Sequence, residues 1–186
     1  MQAAIQCFAE QGYNAAGVAE ICAAAGVSKG AFYHHFESKN DLFILLLKNW
    51  LGDLDTSLAA VADQSASFSD MLIMMAEIME GIFETYREQI PILFEFWMQA
   101  SRDEKIWKEA VKPLEHYQRF FAGLIRKGIE AGNLQDMDPE GGARTVTSLA
   151  IGILMQSMLI PGAVDWGQAS QESVRILLDG MKRRSI

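Results

Sequence analysis

The chain has 186 residues, of which 50% are apolar and 22% are charged, so it is long and apolar enough to bury a sizeable core. Its two cysteines and three histidines do not cluster, which makes a disulfide framework or a metal site a poor interpretation. The net charge of −8 at pH 7 argues at first against a partner that is itself an anion, such as nucleic acid.

Targeting and membrane signals are weak in this sequence. The densest apolar stretches, residues 42–47 and 149–160, are both shorter than the ~20 residues that a membrane-spanning helix needs. The opening residues do not show a basic leader followed by an apolar segment. We therefore predict a soluble, cytoplasmic protein with reduced thiols, no membrane partner, no metal and no cofactor.

The apolar spacing is helical throughout, and no alternating pattern is long enough for a strand. We predict an all-α fold of about nine helices. The first runs to Gly12, where glycine ends it, and the second covers about residues 17–24. The third covers about 29–36, and the fourth begins after Ser38 in a sequence typical of a capping box.

The later helices are predicted over about 68–86, from Pro91 to 101, over 103–131 with a kink or break at Pro113, over 139–160, and over 166–183. Residues 146–160 are apolar on nearly every side, so this helix needs cover on more than one face. A second subunit can supply one cover. The last two helices are therefore expected to pair with their copies in a four-helix interface of a homodimer.

Residues 12–43 carry the strongest functional signal. Gly26 permits a tight turn between two short helices, and Ser28 is placed to cap the second of them. Phe32 and Phe36 share one face and are expected to pack inward. Between them and the cap, the small residues Gly30 and Ala31 allow close approach to a DNA groove. This layout is typical of a DNA-binding helix-turn-helix.

Three motifs carry a family resemblance: FAEQGY at 8–13, AGVSKGAFYHHF at 25–36 and SKNDLF at 38–43. They resemble the DNA-binding domain of the tetracycline-repressor (TetR) family of transcriptional regulators. The resemblance implies a helix-turn-helix DNA-binding domain over 1–47 and a larger helical ligand-binding and dimerisation domain over 48–186. The residues expected to contact DNA are Ser28, Lys29, Gly30, Ala31, Tyr33, His34, His35 and Lys39.

The chain departs from the family pattern at the start of its second helix. Family members usually have Thr or Ser there, but this chain has Ala16 and Gly17, so one helix cap and one phosphate contact are weakened. Residues 12–43 contain no arginine, which shifts the expected readout toward DNA shape. Residues 1–50 have three lysines against four carboxylates, a net charge of −1. A basic N-terminal extension absent from this chain is one alternative source of positive charge.

The rest of the chain is rich in methionine and aromatic residues, which suit apolar partners of varied shape. The resemblance implies an effector cavity for an apolar or amphipathic small molecule. Its expected lining is Met75, Met79, Phe83, Phe94, Trp97, Met98, Phe120, Phe121 and Met155. Glu95 has two interpretations: it faces that cavity and pairs with a cationic ligand, or it lies on a solvated face.

We therefore predict a regulator, most simply a repressor, that binds a near-palindromic double-stranded DNA operator as a homodimer and is released by an effector. No catalytic constellation is visible in the spacing of nucleophiles, bases or carboxylates, so an enzyme is the weaker alternative. A helical interaction module that has lost specific DNA binding is the stronger one, because it fits the acidic net charge.

Overall fold

The computed structural model describes residues 1–65, 67–86 and 88–182, without the side chains of residues 53, 62–64, 79, 80 and 82–84. Its described ranges contain ten α-helices: α1 (Gln2–Ala15), α2 (Val18–Ala25), α3 (Lys29–His35), α4 (Lys39–Gln64), α5 (Phe68–Tyr86), α6 (Gln89–Ala100), α7 (Glu104–Ala110), α8 (Lys112–Glu130), α9 (Pro139–Leu159) and α10 (Trp166–Met181). The predicted all-α fold is confirmed.

The predicted break near Pro113 is present and divides one expected helix into α7 and α8. α7 ends at Ala110 with Val111 as its C-cap residue, and Pro113 is the second residue of α8. Proline is tolerated in a first helical turn because the N–H that it lacks would have no intrahelical partner there. Pro139 likewise opens α9, where the carboxylate of Asp138 accepts from two backbone N–H groups of the first turn.

The helices form two compact units. The first consists of Met1–Leu54 and Tyr86–Lys112, and the second of Asp55–Thr85 and Pro113–Ile186, of which residues to 182 are described. By sequence, the boundary was expected after residue 47, with everything beyond it in the second domain. The first unit instead includes α6 and α7, because α6 packs along α1. The functional division at residue 47 stays a prediction.

Aromatic rings form the centre of the first unit. Phe8, Tyr13, Phe43 and Phe96 are all almost fully buried. The rings of Phe43 and Phe96 stack with centroids 4.3 Å apart, and the ring of Tyr13 meets both of them edge-on. Phe96 lies on α6 and the other three on α1 and α4, so the aromatic centre fixes these three helices to one another.

The second unit is built on the apolar faces of α5, α8 and α9. Buried Phe68, Met71, Leu72 and Met75 recur at helical spacing along α5, so this helix, predicted over about 68–86, has one apolar face. α10 packs against α9. None of the helices in the described part of the chain is both long and apolar enough to cross a membrane.

Candidate nucleic-acid interface

The turn between α2 and α3 has the geometry that its sequence predicts. Gly26 adopts a left-handed conformation with φ 66° and ψ 28°, which glycine reaches without steric cost. The Val27 N–H donates to the carbonyl of Cys22 at 3.0 Å and closes the end of α2. The Ser28 hydroxyl then accepts from the Ala31 N–H at 3.1 Å and caps α3. Both the predicted turn and the predicted cap are confirmed.

One face of α3 is anchored and the other is open. Phe32 is buried, and its ring lies 5.3 Å from that of the partly buried Phe36, centroid to centroid. Seven of the eight residues expected to contact DNA are exposed: Ser28, Lys29, Gly30, Ala31, Tyr33, His34 and His35. A short helix anchored by one aromatic side chain therefore presents small and hydrogen-bonding groups along its outer face.

Lys39, the eighth residue of that set, has a different environment. Its ammonium donates to the backbone carbonyls of Tyr13 at 2.6 Å, Ala16 at 3.0 Å and Asn14 at 3.2 Å. It also lies 4.5 Å from the centroid of the Tyr13 ring, within cation–π range. Partial burial lowers the pKa of Lys39 from its ordinary value. The side chain is thus directed at the end of α1.

Glu95 follows neither of its two sequence interpretations. Its carboxylate accepts from the backbone N–H of Tyr13 at 2.7 Å, between residues 82 positions apart. The chain breaks its helical course just before this contact, since Gly12 has φ 79° and ψ 159° within α1. Glu95 is a structural acceptor for α1 inside the first unit. Sequence reasoning missed this role because nothing near Glu95 in the chain points to residue 13.

The start of α2 confirms the weakened cap that the sequence predicts. Its N-cap is Gly17, which makes no side-chain hydrogen bond to the helix. The carboxylate of Glu20 extends back over Gly17, to within 2.4 Å of where a Cβ would stand. A Ser or Thr at this position requires Glu20 to move, which a flexible side chain does at small cost.

The nine residues expected to line an effector cavity are divided between the two units. Phe94, Trp97 and Met98 belong to the first unit, where Trp97 packs against the core and Met98 is exposed. In the second unit, Met75 and Phe121 are buried, Phe120 is half-buried and Met155 is exposed. The side chains of Met79 and Phe83 lie outside the described residues.

Residues 1–46, which hold this turn and its exposed helix, match the family described as bacterial regulatory proteins, tetR family. The chain is a TetR-like regulator. It is 33% identical over 134 residues to the Transposon Tn10 TetC protein of Escherichia coli, covering 72% of this chain and 65% of that protein. It is 28% identical over 137 residues to the HTH-type transcriptional repressor DhaR of Mycobacterium sp. (strain GP1), covering 73% and 68%.

Similarity to a solved structure extends over almost all of the TetR-like chain. The crystal structure of the transcriptional regulator FadR from Bacillus subtilis, in complex with stearoyl-CoA, superposes with a TM-score of 0.86. It covers 97% of this chain and 96% of the FadR chain at 19% sequence identity. At that identity the likeness establishes the fold.

Proposed function

We propose that this TetR-like regulator is a cytoplasmic repressor that binds a near-palindromic operator as a homodimer and leaves it when an amphipathic effector binds. The observation that carries the proposal is α3, whose exposed outer face lies within the 46 residues that match the family. The similarity to DhaR, a transcriptional repressor, supports repression rather than activation.

The composition of the exposed face suits a DNA groove. Gly30 and Ala31 leave room for the backbone of α3 to approach base edges, and the Ala31 methyl suits a thymine methyl. Lys29, Tyr33 and His34 are exposed donors for phosphate oxygens. Lys29 supplies the permanent positive charge on α3, so we expect only a modest electrostatic contribution to affinity.

Exposed apolar side chains on α9 and α10 support the homodimer. Leu159 is 65% exposed and Ile176 is 75% exposed, and Met155 and Ile160 are exposed near the end of α9. Large exposed apolar side chains on two helices that pack against each other are typical of a protein–protein interface. Pairing of α9 and α10 with their copies would bury these side chains. The two copies of α3 would then contact successive major grooves about 34–36 Å apart.

The effector proposal combines composition with fold. The FadR structure of the same fold holds stearoyl-CoA, which is an amphipathic ligand. In the second unit, Met75, Phe120 and Phe121 offer the apolar, adaptable contacts that an acyl chain needs. We therefore propose an amphipathic effector with an acyl chain, and acyl-CoA esters as the first compounds to test.

Selection of a duplex from a random-sequence pool by the purified protein tests the proposed DNA binding. We expect enrichment of a near-palindromic sequence whose affinity, measured by fluorescence anisotropy, falls steeply with salt concentration. Stearoyl-CoA is expected to release the selected duplex, and free coenzyme A, the matched control, is expected to leave it bound.

A different outcome would favour the interaction module, which the net charge of −8 supports. In that case no sequence is enriched over random duplex at moderate ionic strength, and the protein remains a folded dimer. If a sequence is enriched but no acyl-CoA releases it, the proposed DNA binding stands and the proposed effector class is contradicted.

A further inference from the structure

One turn of the first unit, residues 12–16, is held at both ends by charged side chains from distant elements. At its start, Gly12 has a positive φ and an extended ψ, so the N–H of Tyr13 leaves the helical direction. The Glu95 carboxylate of α6 accepts that N–H at 2.7 Å. The Ala16 N–H then bonds back to the Gly12 carbonyl at 3.2 Å, which closes the turn.

At the other end of this turn, Lys39 of α4 uses its full donor capacity. An ammonium group has three N–H donors, and three backbone carbonyls lie within 3.2 Å of the Lys39 nitrogen. A phosphate oxygen could bind this nitrogen only by displacing one of them. The same end is secured by the Tyr13 hydroxyl, which is hydrogen-bonded to the amide oxygen of Asn40.

The signs of the two charges match the dipole of the turn. A carboxylate at the N–H end and an ammonium at the carbonyl end are each attracted to the backbone partial charges there. Both contacts are partly buried, which reduces their screening by water. We call Glu95 and Lys39 together the charged clamp.

One member of the charged clamp, Lys39, closely follows the proposed DNA-reading helix in the chain. α3 ends at His35, and Lys39 is the first residue of α4, so three residues separate the clamp from α3. The Ser38 hydroxyl accepts from the Asp41 N–H at 3.2 Å and fixes the start of α4. Holding that start against α1 therefore limits the positions that the end of α3 can take.

We propose that Glu95 and Lys39 are positioning residues for DNA binding: the charged clamp orients α3, and neither side chain contacts the duplex. This proposal rests on the proposed function. It assigns Lys39 a role different from the phosphate contact that the family resemblance implies. It also connects DNA affinity to a carboxylate on α6, outside the 46 residues that match the family.

The direction of the Glu95 effect separates the clamp from simple electrostatics. Removing a negative charge from an acidic protein raises DNA affinity if only net charge matters. The clamp predicts the reverse. We expect Glu95→Ala to weaken binding of the selected duplex about tenfold, because a hydrogen bond to a charged group is lost. Glu95→Gln, which keeps an acceptor oxygen but loses the charge, is expected to weaken binding by a smaller factor, about threefold.

The matched control is Glu104→Gln, which removes an exposed carboxylate from α7 in the same unit. It is expected to leave DNA affinity unchanged or slightly raised. A Glu95→Ala protein that binds as tightly as this control would overturn the proposal. If Glu95→Ala does not fold, Glu95→Gln decides in its place: weaker binding than the control supports the clamp, and equal or tighter binding overturns it.

The salt dependence separates positioning from phosphate contact for Lys39. Loss of one phosphate contact lowers the slope of log K against log salt concentration by about 0.9. We expect that change for Lys29→Ala, and an unchanged slope with affinity about tenfold lower for Lys39→Met. A Lys39→Met slope that falls as far as that of Lys29→Ala would show a phosphate contact and contradict the positioning role.

Amide hydrogen exchange at Tyr13 tests the clamp without DNA. Glu95→Ala is expected to accelerate this exchange about tenfold relative to Glu104→Gln, because the N–H loses its acceptor. Unchanged exchange would refute the clamp even if the wild-type protein selects an operator. If Glu95→Ala accelerates the exchange but the wild-type protein selects no duplex, the proposed function is refuted, while the contact between Glu95 and Tyr13 is supported.

Discussion

Helices α3 and α9 are both exposed on one side, but the chemistry of their exposed residues differs. α3 has seven residues, one buried anchor in Phe32, and an outer face of small, hydroxyl, imidazole and amine groups. α9 has 21 residues and several buried contacts, and at its C-terminal end it exposes Met155, Leu159 and Ile160. The exposed face of α3 suits a hydrated DNA groove, and the exposed end of α9 suits the surface of another protein.

Exposure of a helix face is therefore not enough to identify its partner. Exposing the outer face of α3 to water costs little free energy because its residues are small or polar. α3 can therefore remain solvated until DNA binds. The apolar end of α9 leaves large aliphatic groups in contact with water, which favours permanent cover by another subunit. Substitutions in each helix can test this division of roles, because stability, assembly and DNA affinity are measured separately.

Loss of the buried α3 side chain Phe32 is expected to change stability more than any other substitution proposed below. Phe32→Ala is expected to lower the free energy of unfolding by about 3–5 kcal/mol, because a buried aromatic side chain leaves a cavity. Tyr33→Ala is the matched control, since it removes the neighbouring but exposed aromatic side chain. It is expected to change stability by less than about 0.5 kcal/mol and to weaken DNA binding.

Denaturant unfolding of the two variants measures their stability, and fluorescence anisotropy with the selected duplex measures their DNA affinity. Equal destabilisation by the two substitutions would show that α3 is not divided into an anchored face and an open face.

A charge at the apolar end of α9 is the next test. Leu159→Glu is expected to weaken dimerisation by about 3 kcal/mol, which is more than a hundredfold, because pairing would bury an unpaired carboxylate. The fold of each chain is expected to persist, since Leu159 is exposed within one chain. Lys127→Glu, at an exposed position of α8, is the charge control. Sedimentation velocity at several concentrations measures assembly, and a Leu159→Glu dimer as tight as the control would place the interface elsewhere.

The smallest expected effect compares the caps of the two helices. Ser28→Ala and Asp138→Ala each remove a side-chain acceptor at an N-terminus, and each is expected to cost about 1 kcal/mol of stability. Only Ser28→Ala is expected to weaken DNA binding as well, because the capped turn makes up about half of a seven-residue helix. Thermal unfolding measures the stability of the two variants, and fluorescence anisotropy measures their affinity for the selected duplex. Equal affinities of the two variants for the selected duplex would remove the cap of α3 from DNA recognition.

Local structure in this protein follows from short stretches of its sequence. The Gly26 turn and the caps at Ser28 and Asp138 were predictable because each depends on groups within three or four residues of one another. The buried face of α5 was predictable for the same reason, since helical spacing sets which side chains share a side. The motifs around α3 were enough to indicate the family.

The directions of the long side chains in the first unit depend instead on contacts between distant segments. Glu95 meets the N–H of Tyr13 because α6 packs along α1, and Lys39 meets three carbonyls because α4 starts beside the end of α1. The same packing brings residues 86–112 into the first unit. Such contacts depend on how a shared aromatic core fills space between distant segments, and no pattern within a few residues of Glu95 or Lys39 encodes that arrangement.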